Sequence, residues 1–509
     1  MQKFPIKLPL ILSGIFLLSV LIRIPTLNRP LSKHHEFCTA HALRVLEVWD
    51  EYGIRNFHFA PVMNYQNNGD KGINNQASTS GLMLDEERNY YYISHPPLAY
   101  YLPYVVFKIL HVKPTALALE IFNLVFHFIT AVFVFLIAQI LARHPNSSGS
   151  LNSISLIPLF SFTAYCFTPA TLWFHSNVYM SDMFVQVFFA MSLFLFLKYF
   201  LPEGKVNSKR LSVFSLSVFL MCYTTWFGYF VIAGFVLFAL RSGKLKSRKW
   251  NEVILLSASA GVLALCLVAF QYGSLNGERA FLKELTARFA ERDSLNQNFF
   301  FSLKSLVVNY VTSYLPFLGF GFAAYWFLRY SKKICPVFTQ AQIRFFILSL
   351  VPVILLHLFL LNYSGHDFTT LYASIPLVIG CAILFEKLMV YYSRKMIYAL
   401  GGIILVISVC QFWLINPPGK MSIKGDPYDY YQKQGKFIAQ ESSPEEMIFL
   451  LEQKPETQLI YYAKRNIQFI DSLPQAYGFL EKSPVRKGVV FSGKDFYTDY
   501  VFVQRIGIQ

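Results

Sequence analysis

The sequence predicts an all-α polytopic membrane domain with about eleven transmembrane helices, followed by a small external α/β C-terminal domain. Of the 509 residues, 54% are hydrophobic and only 15% charged, with a mean hydropathy of +0.41, whereas a soluble domain carries roughly a quarter charged residues. Apolar stretches of spanning or near-spanning length recur as far as residue 414. After Trp413 the pattern breaks at Asn416, Pro417, Pro418 and Gly419, and mixed polar and apolar sequence follows. The division is therefore a membrane domain over 1–414, with a large external first loop at 25–115, and an external accessory domain over 415–509.

The first span covers Pro9 to Ile24. Lys3 and Lys7 precede it and no small-residue cleavage site precedes Arg23, so it reads as an uncleaved span with a cytoplasmic N-terminus. Later apolar stretches centre on 116–141, 151–171, 182–200, 211–240, 251–271, 301–328, 345–361, 369–389 and 397–414. The stretch 211–240 is interrupted by Thr224, Thr225, Trp226, Phe227 and Gly228, which predicts two short spans meeting at a turn. Pro97 to Val112 is short and carries Pro103 and Lys108. Making it cross would put the basic loop 201–210 outside, so the positive-inside rule lays it in the interface.

The remaining loops sort by charge. Arg143, Lys205, Lys209, Arg210, Arg241, Lys244, Lys246, Arg248, Lys249, Arg329, Lys332, Lys333, Arg344, Arg394 and Lys395 fall in loops of one side, while 172–181, 224–228 and 362–368 hold no Lys or Arg. The basic side is cytoplasmic and the C-terminus external. The net charge of +16 does not indicate nucleic acid, because 415–509 holds 12 Lys+Arg against 11 Asp+Glu and the excess reports membrane orientation. Seven scattered cysteines without a C-x-x-C pair indicate neither a disulfide framework nor a zinc site.

This topology gathers the polar residues on the external side. Arg29 to Pro97 is the longest polar interruption of the membrane part. His34, His35 and Glu36 open a helix through Tyr52, with Ala42, Val45, Leu46 and Trp49 as its apolar stripe and Arg44, Glu47 and Glu51 opposite. Glu36 is thereby placed at a helix start, where an acid also serves simply to complement the helix dipole. Asp182 and the pair His366-Asp367 stand at membrane edges, where an ionisable group is costly unless it faces water or a partner. Their bland readings are an N-cap for Asp182 and a turn after Gly365. In the C-terminal domain, 447–451, 459–463, 488–492 and 500–504 read as strands and 475–482 as a helix. It shows no metal pattern, nucleotide loop or nucleophile elbow.

An external carboxylate beside a membrane-facing cavity suits chemistry on a lipid-linked substrate, whose tail stays in the bilayer while its head meets the loop. Sugar transfer from a lipid phosphate needs a general base for the acceptor and cations for the departing phosphate. Direct displacement inverts the anomeric centre, and a paired acid is not obligatory.

Four features resemble the membrane glycosyltransferases of the GT-C superfamily, in the branch of the protein O-mannosyltransferases and lipid A aminoarabinose transferases. They are RPLSKHHEFCTAHALRVLEVWDEYG (Arg29 to Gly53) after the first span, HPPLAYYL (His95 to Leu102), Asp182 at the mouth of a later span, and TTWFGYF (Thr224 to Phe230). The family carries an Asp-Glu pair in its first loop, the Asp being the proposed base; this chain has His35-Glu36 there. The resemblance implies a polyprenyl-phosphate sugar as donor, a lipid, glycan or protein as acceptor, and a bacterial inner membrane location with the C-terminal domain periplasmic. It implies Glu36 as base with His35 second, Asp182 as a further catalytic residue, and donor contacts from His95, Arg44, Arg88, Tyr91, Trp226, His366 and Asp367. The run Tyr90 to Tyr92 also fits an interfacial aromatic belt. No cofactor is required; a divalent metal could be held by His34, His35, Glu36 and Asp182, although their spacing does not demand one. Two other classes stay open: a lipid-linked glycan transporter or flippase, which commonly shows internal repeats not seen here, and a noncatalytic glycolipid-binding member of the same fold.

Overall fold

The computed structural model describes residues 7–32, 34–74, 80–142, 156–202, 207–243, 247–292, 299–331, 337–422, 425–493 and 500–508. The chain opens with α1 (Lys7–Arg23). The first loop then builds α2 (Glu36–Tyr52), a hairpin of β1 (Leu82–Leu84) and β2 (Tyr90–Tyr92), and α3 (Leu98–Leu110). There follow α4 (Ala116–Leu141), α5 (Leu156–Phe167), α6 (Pro169–Phe174), α7 (Ser181–Leu195), α8 (Ser208–Cys222), α9 (Phe227–Arg241), α10 (Arg248–Asn276), α11 (Glu278–Arg292), α12 (Phe299–Tyr330), α13 (Gln340–Phe359), α14 (Ser374–Leu388) and α15 (Arg394–Ile415).

Among the described residues, 8 helices are long and apolar enough to cross a membrane. The shorter α5, α8 and α9, of 12, 15 and 15 residues, occupy the other three expected places. The chain is an integral membrane protein. Cys222 and Phe227 end and begin α8 and α9, so 211–240 is two helices meeting at a tight turn. Gly228 is required there, because a Cβ would lie 2.8 Å from the Cys222 backbone. At 13 residues α3 spans about 20 Å, short of the ~30 Å hydrocarbon core. The basic residues Arg143, Lys205, Lys244, Lys246, Lys332 and Lys333 lie outside the described residues. A reporter fused after Gln509 should read out on the non-cytoplasmic side; a cytoplasmic signal would invert the topology and move the site described below to the inner face.

The C-terminal domain contains α16 (Tyr430–Glu441), β3 (Met447–Leu451), α17 (Thr457–Ala463), β4 (Ile467–Ile470), α18 (Leu473–Glu481), β5 (Lys487–Ser492) and β6 (Val501–Gly507). The sheet order is β4-β3-β5-β6, with β3 parallel to both neighbours and β6 antiparallel at the edge. One expectation fails: 459–463 lies in α17, and the second strand is β4. LIYYA is a short apolar run, whose hydropathy alone does not separate strand from buried helix.

The first loop is built into this domain. Asp70 accepts Arg465 Nε (3.2 and 3.0 Å) and the Asn466 amide (2.6 Å). Ile73 belongs to the domain's own core, with Met447, Phe449, Ile470 and Val490. A Cβ on Gly69 would fall 2.1 Å from the Glu446 carbonyl oxygen, so only glycine permits this approach. The covering also buries Arg44, expected on the polar face of α2: it is 1% exposed, beside Met63.

Candidate active site

The site begins where the chain leaves the first loop's entrance. His34 and His35 both adopt left-handed backbone conformations, with φ of 60° and 66°. Such non-glycine residues store roughly 1–3 kcal/mol each and persist only where the surroundings hold them. The result is that both rings reach one carboxylate: Asp367 Oδ2 lies 3.0 Å from His34 Nε2, and its Oδ1 lies 2.8 Å from His35 Nε2. His34 Nδ1 also bonds Asn416 Oδ1 (2.7 Å), and its ring stacks on Trp173 at 4.9 Å. Burial opposes a charge on His34, but the hydrogen bond and charge of Asp367 outweigh it and raise the ring's pKa. His35 is packed edge-on by Phe37, Phe368 and His366, and among the described residues its buried Nδ1 has no hydrogen-bond partner.

Glu36 faces away from this group. It is 0% exposed, and its oxygens accept Ser32 N (2.9 Å), Ser32 Oγ (2.7 Å) and Arg29 (3.3 and 3.4 Å). Arg29 is sandwiched between the rings of Trp173 (4.8 Å) and Tyr428 (3.9 Å).

A second cluster surrounds Asp182 in the first turn of α7. Its carboxylate does not cap that turn, where Met180 is the N-cap residue; it accepts the hydroxyls of Tyr363 (2.8 Å to each oxygen) and Tyr372 (2.6 Å). Arg292, the last residue of α11, lies 4.5 Å above the Tyr363 ring. It is 7% exposed, and among the described residues the only hydrogen bond of its guanidinium is to His95 Nε2, at 3.4 Å. Burial, reinforced by the Arg292 and Arg288 charges, pushes His95 well below the ordinary histidine range, which keeps its ring neutral as an acceptor. The His95 carbonyl accepts Tyr272 OH (2.8 Å), and Trp226 Nε1 donates to Ser94 O (2.8 Å).

His366 joins the two clusters, edge-on to His35 at 5.3 Å and to Tyr363 at 5.9 Å. A histidine–carboxylate pair and a buried cation therefore lie two aromatic rings apart.

No protein-family model and no curated protein matches the sequence. Solved structures do. The aminoarabinose transferase ArnT from Cupriavidus metallidurans bound to undecaprenyl phosphate superposes with a TM-score of 0.60 at 11% identity, over 97% of this chain and 97% of that one. The archaeal oligosaccharyltransferase AglB from Archaeoglobus fulgidus, with an inhibitory peptide and a dolichol-phosphate, gives 0.56 at 11% identity, over 94% of this chain and 69% of that one. This is the GT-C fold. At such identities the fold is what the chains share. A third structure, AglB with zinc and sulfate, matches with a TM-score of 0.54 at 12% identity, over 94% of this chain and 68% of that one.

Within the GT-C fold of this chain the expected residues divide. His35, Asp182, His95, His366 and Asp367 come together, and Trp226 holds the backbone beside His95. Tyr91 donates instead to Asp85 Oδ2 (2.6 Å) within the hairpin, Arg88 lies at the hairpin turn against Gly72, and Arg44 of α2 is buried beside Met63. The four suggested metal ligands do not converge: Glu36 is taken up by Arg29 and Ser32, Asp182 by two tyrosines. Among the described residues no group of three or more His, Cys, Asp and Glu is arranged to hold a metal. Arg292, Tyr363, Tyr372 and Arg29 were not singled out from the sequence. Arg288 and Arg292 lie four apart in a mixed-charge segment, which was the available signal for a basic helical face.

Proposed function

We propose that the chain transfers a sugar from a polyprenyl-phosphate donor to an acceptor at the external face of the membrane, a bacterial inner membrane with the C-terminal domain in the periplasm, inverting the anomeric centre. The observation that carries this reading is Arg292, a buried cation whose guanidinium makes one hydrogen bond among the described residues, to His95, set two rings from His35, whose far nitrogen has no hydrogen-bond partner among them. The polyprenyl phosphates in the ArnT and AglB structures support the same class of ligand.

In this reading the donor phosphate takes the face of Arg292 opposite the Tyr363 ring, and the sugar lies toward His366. His35 Nδ1 accepts the acceptor's O–H proton while Asp367 orients the ring through Nε2, the division of labour of a histidine–carboxylate pair. The acceptor oxygen attacks the anomeric carbon, the bond from that carbon to the phosphate oxygen breaks, and its electron pair leaves on the phosphate, whose charge Arg292 stabilises. Attack opposite the leaving group inverts the centre. Asp182 balances Arg292 and fixes Tyr363 beneath it. Glu36, with its oxygens already occupied, braces the turn that carries His35. The candidate ligands do not converge on a metal, so no step is routed through one.

Arg292→Ala should weaken binding of undecaprenyl phosphate to the purified protein by about 10- to 100-fold, the loss of charge-assisted hydrogen bonds. Unchanged binding would remove Arg292, and with it this placement of the donor. Donor binding by the wild-type protein without release of polyprenyl phosphate in the presence of a crude membrane acceptor pool would favour the noncatalytic alternative.

A further inference from the structure

The segment that carries His35 is held from outside the membrane domain. Leu31 N donates to Tyr462 OH (2.7 Å), and Gln458 Nε2 donates to the Ser32 carbonyl oxygen. Both side chains project from α17, which also packs on α2, where Lys464 pairs with Glu47 (2.6 Å). Ser32 in turn donates through both N and Oγ to Glu36, the first residue of α2. Tyr428, on the way into the C-terminal domain, covers the other face of Arg29, and Asn416 in the linker fixes His34 Nδ1. Two successive left-handed histidines are unfavourable in isolation and need surroundings that over-determine them. Here the membrane domain contributes Asp367, the rings of Phe174, His366 and Phe368, and Trp173, whose Nε1 donates to the His34 carbonyl oxygen (3.1 Å), and the C-terminal region adds Asn416, Tyr428 and two hydrogen bonds to the backbone of Leu31 and Ser32.

We infer that α17 of the C-terminal domain is a positioning element of the transfer site, Tyr462 and Gln458 holding the backbone of the segment that presents His35. The inference rests on the function proposed above. The C-terminal domain then acts on catalysis without touching either substrate. It sets where His35 Nδ1 stands relative to the acceptor, whereas donor affinity, which lies with Arg292 and Tyr363, is independent of it. Misplacement of a catalytic group by a fraction of an ångström lowers the rate while leaving ground-state binding intact.

Tyr462→Phe removes one hydroxyl and keeps the ring, so the fold should survive. Hydrogen exchange on the full-length protein should then accelerate in peptides covering 29–36 and stay unchanged elsewhere. Turnover with a radiolabelled polyprenyl-phosphate sugar should fall about 3- to 10-fold in kcat, the share of one hydrogen bond, at unchanged donor KM. Gln458→Ala should act in the same direction and Tyr477→Phe, on the exposed side of α18, in neither assay. Unaltered exchange at 29–36 would overturn the hold itself. Faster exchange with unaltered kcat, or a change confined to donor KM, would overturn the positioning role. Absence of transfer by the wild-type protein would overturn the function reading instead, and the exchange measurement would still report whether α17 holds the segment.

Discussion

Replacing His35 by Ala lowers turnover by roughly 100-fold or more in the expected outcome, at nearly unchanged donor binding. The reasoning is positional. His35 Nε2 lies 2.8 Å from Asp367 Oδ1, and Nδ1 has no hydrogen-bond partner among the described residues, so Nδ1 is the atom placed to accept a proton. Asp367→Asn keeps the shape but removes the charge that orients the ring, so it should lower kcat in the same way. Glu36→Gln should behave differently. Its carboxylate accepts from Ser32 and Arg29 at four contacts, and an amide turns one of its two acceptor atoms into a donor facing other donors. Lowered thermal stability and expression should accompany any loss of activity. A Glu36→Gln protein that unfolds like the wild type yet fails in transfer, beside a His35→Ala protein that transfers normally, would reverse the two roles.

A second large effect is expected at Asp70, far from the chemistry. Asp70 is 0% exposed and Arg465 only 7%, and they meet at 3.0 Å between the first loop and the C-terminal domain. Removing one partner leaves a buried charge uncompensated, which costs about 3–5 kcal/mol. Asp70→Ala should therefore lower the unfolding midpoint of the C-terminal domain and expose the Asn416 to Gly419 linker to proteolysis. Pairing it with Arg465→Met should recover part of the loss, since the second substitution removes the stranded charge; the double-mutant cycle reads the coupling directly. Equal stability of the single variant and the wild type would mean that the two domains are held together elsewhere.

The membrane architecture was legible because hydropathy is a local property: each span announces itself within about twenty residues. Even the turn at Thr224 to Gly228 showed as polar residues within an apolar run. Short runs were less informative, which is why LIYYA was read as a strand. The site was half legible. Asp182, His366 and Asp367 stood out as ionisable groups at membrane edges and His35 as the neighbour of Glu36 in the polar first loop, but their partners did not. His34 and Asp367 are 333 residues apart, Asp182 and Tyr363 181, His95 and Arg292 197. No spacing rule extends so far. Arg44, read on the side of α2 opposite the apolar stripe, is buried for a related reason: helix periodicity reports one buried side, and here the loop and α17 cover the others.

The contact between Leu31 and Tyr462 joins positions 431 residues apart, and this sets an order of events during biogenesis. At about 5–20 residues per second, a ribosome needs about 20–90 s to make the intervening chain. For most of that interval the segment with His34 and His35 has already been made, while the helix that braces it does not yet exist. The left-handed pair at His34 and His35 therefore has to settle late, when the last fifth of the chain arrives. A chain truncated during synthesis, even with every membrane span inserted, would carry His34 and His35 without the α17 contacts that hold their segment in register.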